Sequence, residues 1–172
     1  ENNNLTFRLK ELLSTSDAEL KGKINHFLKV KYSLDNEPEP YNKENKTHEK
    51  MLLELWSLIF PDRKLESRVS EQWKAMGFQG TDPATDFRGM GILALRHLLY
   101  FGRYNTEIIR GLMEAQEDNN ENYYPVATAC INVSKLLFDI FRQEEGGHLK
   151  YMNFLFDHPF ALEETYCIVL QF

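Results

Sequence analysis

One arginine in a glycine-rich stretch is the residue whose sequence context most clearly suggests a functional role. Residues 73–98 hold four of the nine glycines in the chain, and Arg88 lies among them. The positive end of a helix dipole disfavours a cation near a helix start. Arg88 therefore needs either a local acid, such as Asp86, or an external anion. Arginine suits such an anion because its planar guanidinium can bind two oxygens and stays charged.

The residues before this arginine predict a stiff loop. Asp82 followed by Pro83 is typical of an N-cap with proline in the first helical position. Thr85 and Asp86 then fall near a helix start, where main-chain N–H groups lack partners. We expect Asp86 to hold the guanidinium or to cap the turn. Gln79 and Thr85 are expected to pin the loop through main-chain hydrogen bonds.

Two glycines, Gly89 and Gly91, follow the arginine. Glycine inside a helix is less favourable than alanine by about 1 kcal/mol, so two at this spacing need a structural reason. Each is expected to allow a positive φ or the close approach of another backbone segment. Gly91 shares a helix face with Leu95 and Leu98, which predicts a close packing point. Gly89 is then expected to shape the turn that aims Arg88.

Other kinds of active site find little support in the residues. The chain has no phosphate-loop motif, no nucleophile elbow and no histidine or cysteine spacing typical of a metal site. Asp82 and Asp86 could form an acid–base pair, but capping explains both more simply. The sequence therefore predicts no metal and no cofactor.

The composition and hydrophobic periodicity predict an all-α protein. The 172 residues suit a single compact multi-helix domain of about eight or nine helices. The net charge of −6 argues against a nucleic-acid-binding protein. We divide the chain into N-terminal helices with a polar linker, residues 1–46, and a core, residues 47–172. Helices are predicted over residues 5–13, 17–32, 47–60, 65–76, 90–101, 106–115, 125–145, 149–156 and 160–170.

Several single residues refine these predictions. Gly77 is expected to end the helix over 65–76, and Gly102 the helix over 90–101. The β-branched and aromatic residues of 166–172 would also suit a strand. Cys130 and Cys167 are predicted to be buried free thiols in a reducing compartment. No signal peptide or membrane span is visible, so we expect a cytoplasmic protein, with peripheral attachment to organelle membranes or the cytoskeleton left open.

The glycine-rich stretch resembles the signature of the ELMO domain family. The residues that occupy its fixed positions are Trp73, Gly77, Phe78, Gln79, Pro83, Thr85, Asp86, Phe87, Arg88, Gly89, Gly91, Leu95 and Leu98. Residues 48–56 and 65–72 are similar to the helices that precede this signature in the family. Residues 124–138 are similar to the helix that follows it, with Cys130 in place of a glycine.

This resemblance implies an all-α fold and a function. ELMOD-type members of the family are GTPase-activating proteins for Arf-family and Arf-like small GTPases, and the arginine of their signature is catalytic. That arginine corresponds to Arg88, which would be inserted in trans beside the GTP of a GTP-bound partner. Such a protein needs no cofactor and is not itself a hydrolase. Trp73 and Phe87 are expected to belong to the core.

The resemblance also leaves an alternative. The engulfment scaffolds of the family bind a guanine-nucleotide exchange factor and generally lack the arginine. The presence of Arg88 therefore favours the activating branch. A non-catalytic module that binds a GTPase or an exchange factor remains the second hypothesis.

Overall fold

The computed structural model describes residues 17–118, 125–142, 152–158 and 160–171. These residues form seven α-helices and two 3₁₀ helices, and they contain no strand. The prediction of an all-α fold is therefore confirmed. The helices are α1 (Ala18–Asp35), α2 (Lys46–Ile59), a first 3₁₀ helix (Glu71–Met76), a second 3₁₀ helix (Pro83–Arg88), α3 (Gly91–Tyr104), α4 (Thr106–Asp118), α5 (Val126–Arg142), α6 (Met152–Asp157) and α7 (Ala161–Gln171).

Contacts between residues divide the described chain into two compact units. One unit contains the described residues of 1–37 and 137–164, where α1 packs against α6 and Phe27 meets Phe156 edge to face at 6.2 Å. The other unit contains the described residues of 38–136 and 165–172. In this second unit α2 packs against α3, and both 3₁₀ helices lie there.

The helix boundaries follow from capping side chains. The carboxylate of Asp17 accepts hydrogen bonds from the main-chain N–H groups of Glu19 and Leu20 at the start of α1. The side-chain amide oxygen of Asn45 accepts a hydrogen bond from the main-chain N–H of Thr47 at the start of α2. Helix α2 ends at Ile59, before Pro61, because proline cannot continue the hydrogen-bond ladder.

Two predicted boundaries are wrong because contacts with other segments decide them. Only Glu71–Met76 of the expected helix over 65–76 is helical, and it is a 3₁₀ helix. Residues 65–70 instead contact other segments of the unit, as when the main-chain N–H of Ser70 donates to the carbonyl of Thr81 at 3.0 Å. Gly102 lies inside α3, where an added Cβ would come within 2.8 Å of the Leu58 side chain. Residues 166–171 are helical, so the strand alternative fails there.

Helix α3 forms the middle of the second unit. Most of its side chains are buried, and its nonpolar residues are buried on almost every side. Such a pattern is typical of a helix surrounded by protein. Cys130 and Cys167 are buried and are not joined in a disulfide, as predicted. None of the helices in the described residues is both long enough and apolar enough to cross a bilayer.

Candidate functional site

Arg88 is the last residue of the second 3₁₀ helix, and its side chain is exposed. The Nε–H donates to the main-chain carbonyl of Thr85 at 2.8 Å. Among the described residues, no hydrogen bond or ion pair involves the two terminal nitrogens of this guanidinium. One edge of the guanidinium is thus fixed to the backbone, while the outer edge is available to an external anion.

The start of this 3₁₀ helix is fixed by a cap. The Oδ1 atom of Asp82 accepts a hydrogen bond from the N–H of Ala84 at 3.0 Å, and Pro83 occupies the first helical position. The Thr85 hydroxyl donates back to the Asp82 carbonyl at 2.8 Å. This is the N-cap arrangement that the sequence predicted for Asp82 and Pro83.

Asp86 pins the turn and does not pair with the arginine. Its Oδ1 accepts the main-chain N–H of Gln79 at 3.1 Å, and its Oδ2 lies 3.3 Å from the Thr85 hydroxyl. Of the two expected roles, the structure therefore places Asp86 in the capping one. Arg88 is left without a carboxylate partner among the described residues.

The two glycines after the arginine differ in conformation. Gly91 has a φ of +50°, and a Cβ there would lie 2.0 Å from the carbonyl oxygen of Glu39. Gly91 thus combines a positive φ with a close backbone approach, although the neighbouring segment has no regular secondary structure and is not a helix. Gly89 has a φ of −83° and open space around it, so neither expected reason applies to it.

The aromatic residues of the signature form a continuous buried chain. Trp73 meets Phe78 edge to face at 5.8 Å, and Phe78 meets Phe87 in the same way at 5.7 Å. Trp73 and Phe87 have no exposed surface, as expected for core residues. Leu95 and Leu98 are buried as well, and Gly77 ends the first 3₁₀ helix with a φ of +84°. These buried residues anchor the loop to the core.

A polar group that the sequence did not reveal lies beside the loop. Arg68 donates from Nε to Glu49 at 2.5 Å and from Nη1 to Asp82 at 2.8 Å. The hydroxyl of Tyr41 donates to the other oxygen of Glu49 at 2.5 Å. Burial by itself lowers the pKa of Arg68, but its hydrogen bonds to Glu49 and Asp82 outweigh burial and hold that pKa above its usual value.

Sequence reasoning also missed the role of the segment before α2. Residues 38–42 were assigned to a polar linker, yet the Glu39 carbonyl accepts the N–H of Ile92 at 2.8 Å. The ring of Tyr41 stacks on Phe87 at 5.4 Å. The signal that could have revealed these contacts is a lone aromatic residue in an otherwise polar stretch.

A second polar cluster lies inside the same unit. The His97 Nδ1 is 3.0 Å from the Ser134 hydroxyl, and the His97 ring packs against Tyr166 at 4.8 Å. Burial, with a smaller effect of Arg96, lowers the pKa of His97 to about 4. Burial raises the pKa of Cys130 to about 12. These groups stay neutral and are shielded from solvent.

Two other arginines bind to groups within the protein. Arg103 pairs with Glu54, and Arg110 donates to the main-chain carbonyl of Leu58 at 2.7 Å. Within the described ranges, no three His, Cys, Asp or Glu side chains come together as a group that could hold a metal ion.

The chain is similar in sequence to a known protein family and to several of its members. The ELMO/CED-12 family model matches residues 34–172. ELMO domain-containing protein A of Dictyostelium discoideum is 42% identical over 154 residues, which cover 76% of this chain and 16% of that protein. ELMO domain-containing protein B of the same organism is 36% identical over 146 residues, or 80% of this chain and 51% of that protein.

A mammalian relative is also similar to the chain over part of its length. ELMO domain-containing protein 2 of Mus musculus is 43% identical over 105 residues, which cover 61% of this chain and 36% of that protein. The chain therefore spans about half or less of the length of these relatives. No solved structure matches it. Since the family match covers most of the chain and includes residues 79–91, which we call the arginine loop, the chain belongs to the ELMO/CED-12 family.

Proposed function

We propose that this chain is a GTPase-activating protein for an Arf-family or Arf-like small GTPase, acting in the cytoplasm on the GTP-bound form. Arg88 is the arginine that it inserts beside the bound nucleotide. The observation that supports this proposal is the exposed guanidinium of Arg88, which is anchored to the backbone through Nε and unpaired at its outer edge among the described residues.

The chemistry needs only one well-placed cation. As the bond to the γ-phosphate breaks, negative charge accumulates on the phosphate oxygens, and an arginine supplied in trans accelerates the reaction by about 10³–10⁵. The GTPase supplies the phosphate loop and the magnesium ion. The Thr85 carbonyl fixes the Arg88 fork, so less conformational freedom is lost when the complex forms.

The neighbouring residues support this arginine in the proposed mechanism. Asp86 and Gln79 close the turn, since the carboxylate accepts the main-chain N–H. Pro83 and Thr85 stiffen the 3₁₀ helix. Gly91 lets another segment pack against the loop.

A single-turnover assay tests the proposal. The hydrolysis of GTP by a panel of Arf-family and Arf-like GTPases is measured with the wild type, with Arg88→Lys and with Arg96→Lys as a matched exposed control. We expect acceleration by the wild type and the control, and a loss of about 10³-fold or more in Arg88→Lys. Lysine keeps the charge but lacks the fork that binds two oxygens.

Two results would contradict this assignment. Acceleration that survives Arg88→Lys would exclude Arg88 as the catalytic group. Tight binding to a GTPase or an exchange factor, with no acceleration across the panel, would instead establish the scaffold alternative. Circular dichroism of Arg88→Lys ensures that a loss of activity does not come from unfolding.

A further inference from the structure

The segment that precedes α2 closes over the arginine loop, and we call residues 38–42 the strap. The N-cap residue of α3, Met90, makes no side-chain capping hydrogen bond. The carbonyl of Glu39 accepts the N–H of Ile92 in the first turn of that helix. A main-chain group of the strap thus satisfies a donor that a capping side chain would otherwise take. Gly91 provides the space for this approach.

Tyr41 of the strap contacts the residue next to the arginine. Its ring stacks on Phe87 with 5.4 Å between centroids and 22° between planes. Phe87 is fully buried and meets Phe78 on another side. The strap and the core therefore hold Phe87 between them, and the position of Phe87 determines where the backbone of Arg88 lies.

The hydroxyl of Tyr41 connects to the opposite end of the same 3₁₀ helix. It donates to Glu49, which accepts a second hydrogen bond from Arg68. Arg68 in turn donates to Asp82, the N-cap of the 3₁₀ helix. One side chain thus contacts the end of the helix with its ring and is linked to the start of the helix through its hydroxyl.

We infer that Tyr41 is a positioning residue for Arg88, and that the strap keeps the arginine loop in the geometry required at the phosphates of a partner's GTP. This inference rests on the proposed function. It assigns a role to a residue outside the signature. A displacement of about 1 Å at a reacting group can reduce a rate by about 10²-fold, so loss of this support is expected to act on the rate.

The test compares three tyrosine variants in the single-turnover assay with a GTPase that the wild type accelerates. Tyr41→Leu removes the stacked ring and the hydroxyl, and Tyr41→Phe removes only the hydroxyl. Tyr32→Leu is the control, because Tyr32 is 69% exposed. Varying the concentration of activator separates the maximal rate from the half-saturating concentration, and thermal unfolding checks the fold.

We expect the maximal rate of Tyr41→Leu to fall by about tenfold or more, with a half-saturating concentration within about twofold of the wild type. Tyr41→Phe should lose about threefold, because the stacked ring remains. A maximal rate for Tyr41→Leu equal to that of Tyr32→Leu would overturn the inference. So would a loss that appears only in the half-saturating concentration.

Hydrogen exchange of the free protein separates this inference from the proposed function. The amides of residues 84–92 should exchange faster in Tyr41→Leu, while those of the α2 core stay protected. If the wild type accelerates no GTPase, the proposed function fails. Unchanged hydrogen exchange over residues 84–92 in Tyr41→Leu would then also overturn the inference about the strap. If Tyr41→Leu does not fold, Tyr41→Phe provides the test. A maximal rate and a hydrogen exchange equal to those of the wild type in Tyr41→Phe would reject the inference.

Discussion

The arginine loop and the buried His97 cluster hold polar groups in the same unit by opposite means. In the loop, main-chain groups and capping side chains fix an exposed cation, since Arg88 is bound at Nε by the Thr85 carbonyl. In the cluster, His97 and Ser134 bind each other inside the core, and burial lowers the pKa of His97 to about 4. One site presents a charge to solvent, and the other keeps its groups neutral.

This comparison shows that a shifted pKa by itself does not identify the functional site of this protein. A strongly shifted pKa in a cleft is a common sign of an active site. Here the shifts of His97, Cys130 and Tyr166 all come first from burial, and none of these side chains is exposed. The candidate site depends on an arginine that is charged at any physiological pH, so it is identified by geometry and exposure.

The largest loss of stability is expected when the backbone contact beside the loop is disrupted. Gly91→Ala would place a Cβ 2.0 Å from the Glu39 carbonyl oxygen at a φ of +50°. Because neither backbone can yield without moving the strap or α3, we expect a loss of about 4 kcal/mol or more in the free energy of unfolding. Urea denaturation measures it.

Gly89→Ala is the matched control for that substitution. Its φ is −83° and nothing lies within 4 Å of the added Cβ, so the change should stay within about 0.5 kcal/mol of the wild type. Equal effects of the two substitutions would show that the close approach of the strap does not contribute to stability.

A smaller effect is expected from the buried cluster as the pH falls. His97 has a pKa of about 4 in the folded protein and an ordinary value of 6.5 when unfolded. Between these values only the unfolded chain takes up the proton, so stability is complete above pH 6.5 and falls by up to about 3 kcal/mol towards pH 4. His97→Gln should remove this part of the pH dependence.

Urea unfolding at several pH values between 7.5 and 4.5 tests this expectation. His158→Gln, at an exposed position, serves as the control and should keep the wild-type slope. If His97→Gln and His158→Gln show the same slope, the buried ring takes up its proton without leaving the fold, and the contrast between the two sites disappears.

The smallest effect is expected at the cap of the arginine loop. Asp82→Ala removes the acceptor of the Ala84 N–H and of Arg68, whose Nη2 is already buried without a partner in the described residues. A lost cap and a lost partner together should reduce the free energy of unfolding by about 2 kcal/mol. Thermal or urea unfolding measures this loss. Asp62→Ala, at an exposed position, is the control, and its free energy of unfolding should stay within about 0.5 kcal/mol of the wild type.

Local chemistry made part of the site predictable. Asp82 and Pro83 start the 3₁₀ helix as expected because a cap involves neighbours in sequence. The position of the strap was not predictable, because Tyr41 and Phe87 are 46 residues apart and meet only in the fold. Gly102 was misassigned for the same reason, since its small size serves the packing of Leu58 and not a helix end.

The sequence by itself determined the all-α class, the membership in the ELMO/CED-12 family and the caps around Arg88, because periodicity, signature residues and capping depend on residue types at short spacing. The tertiary structure alone decided that Asp86 binds Gln79 and leaves Arg88 unpaired among the described residues. It also decided that the strap covers the loop. These outcomes depend on which side chains reach one another in space, and sequence spacing does not encode that.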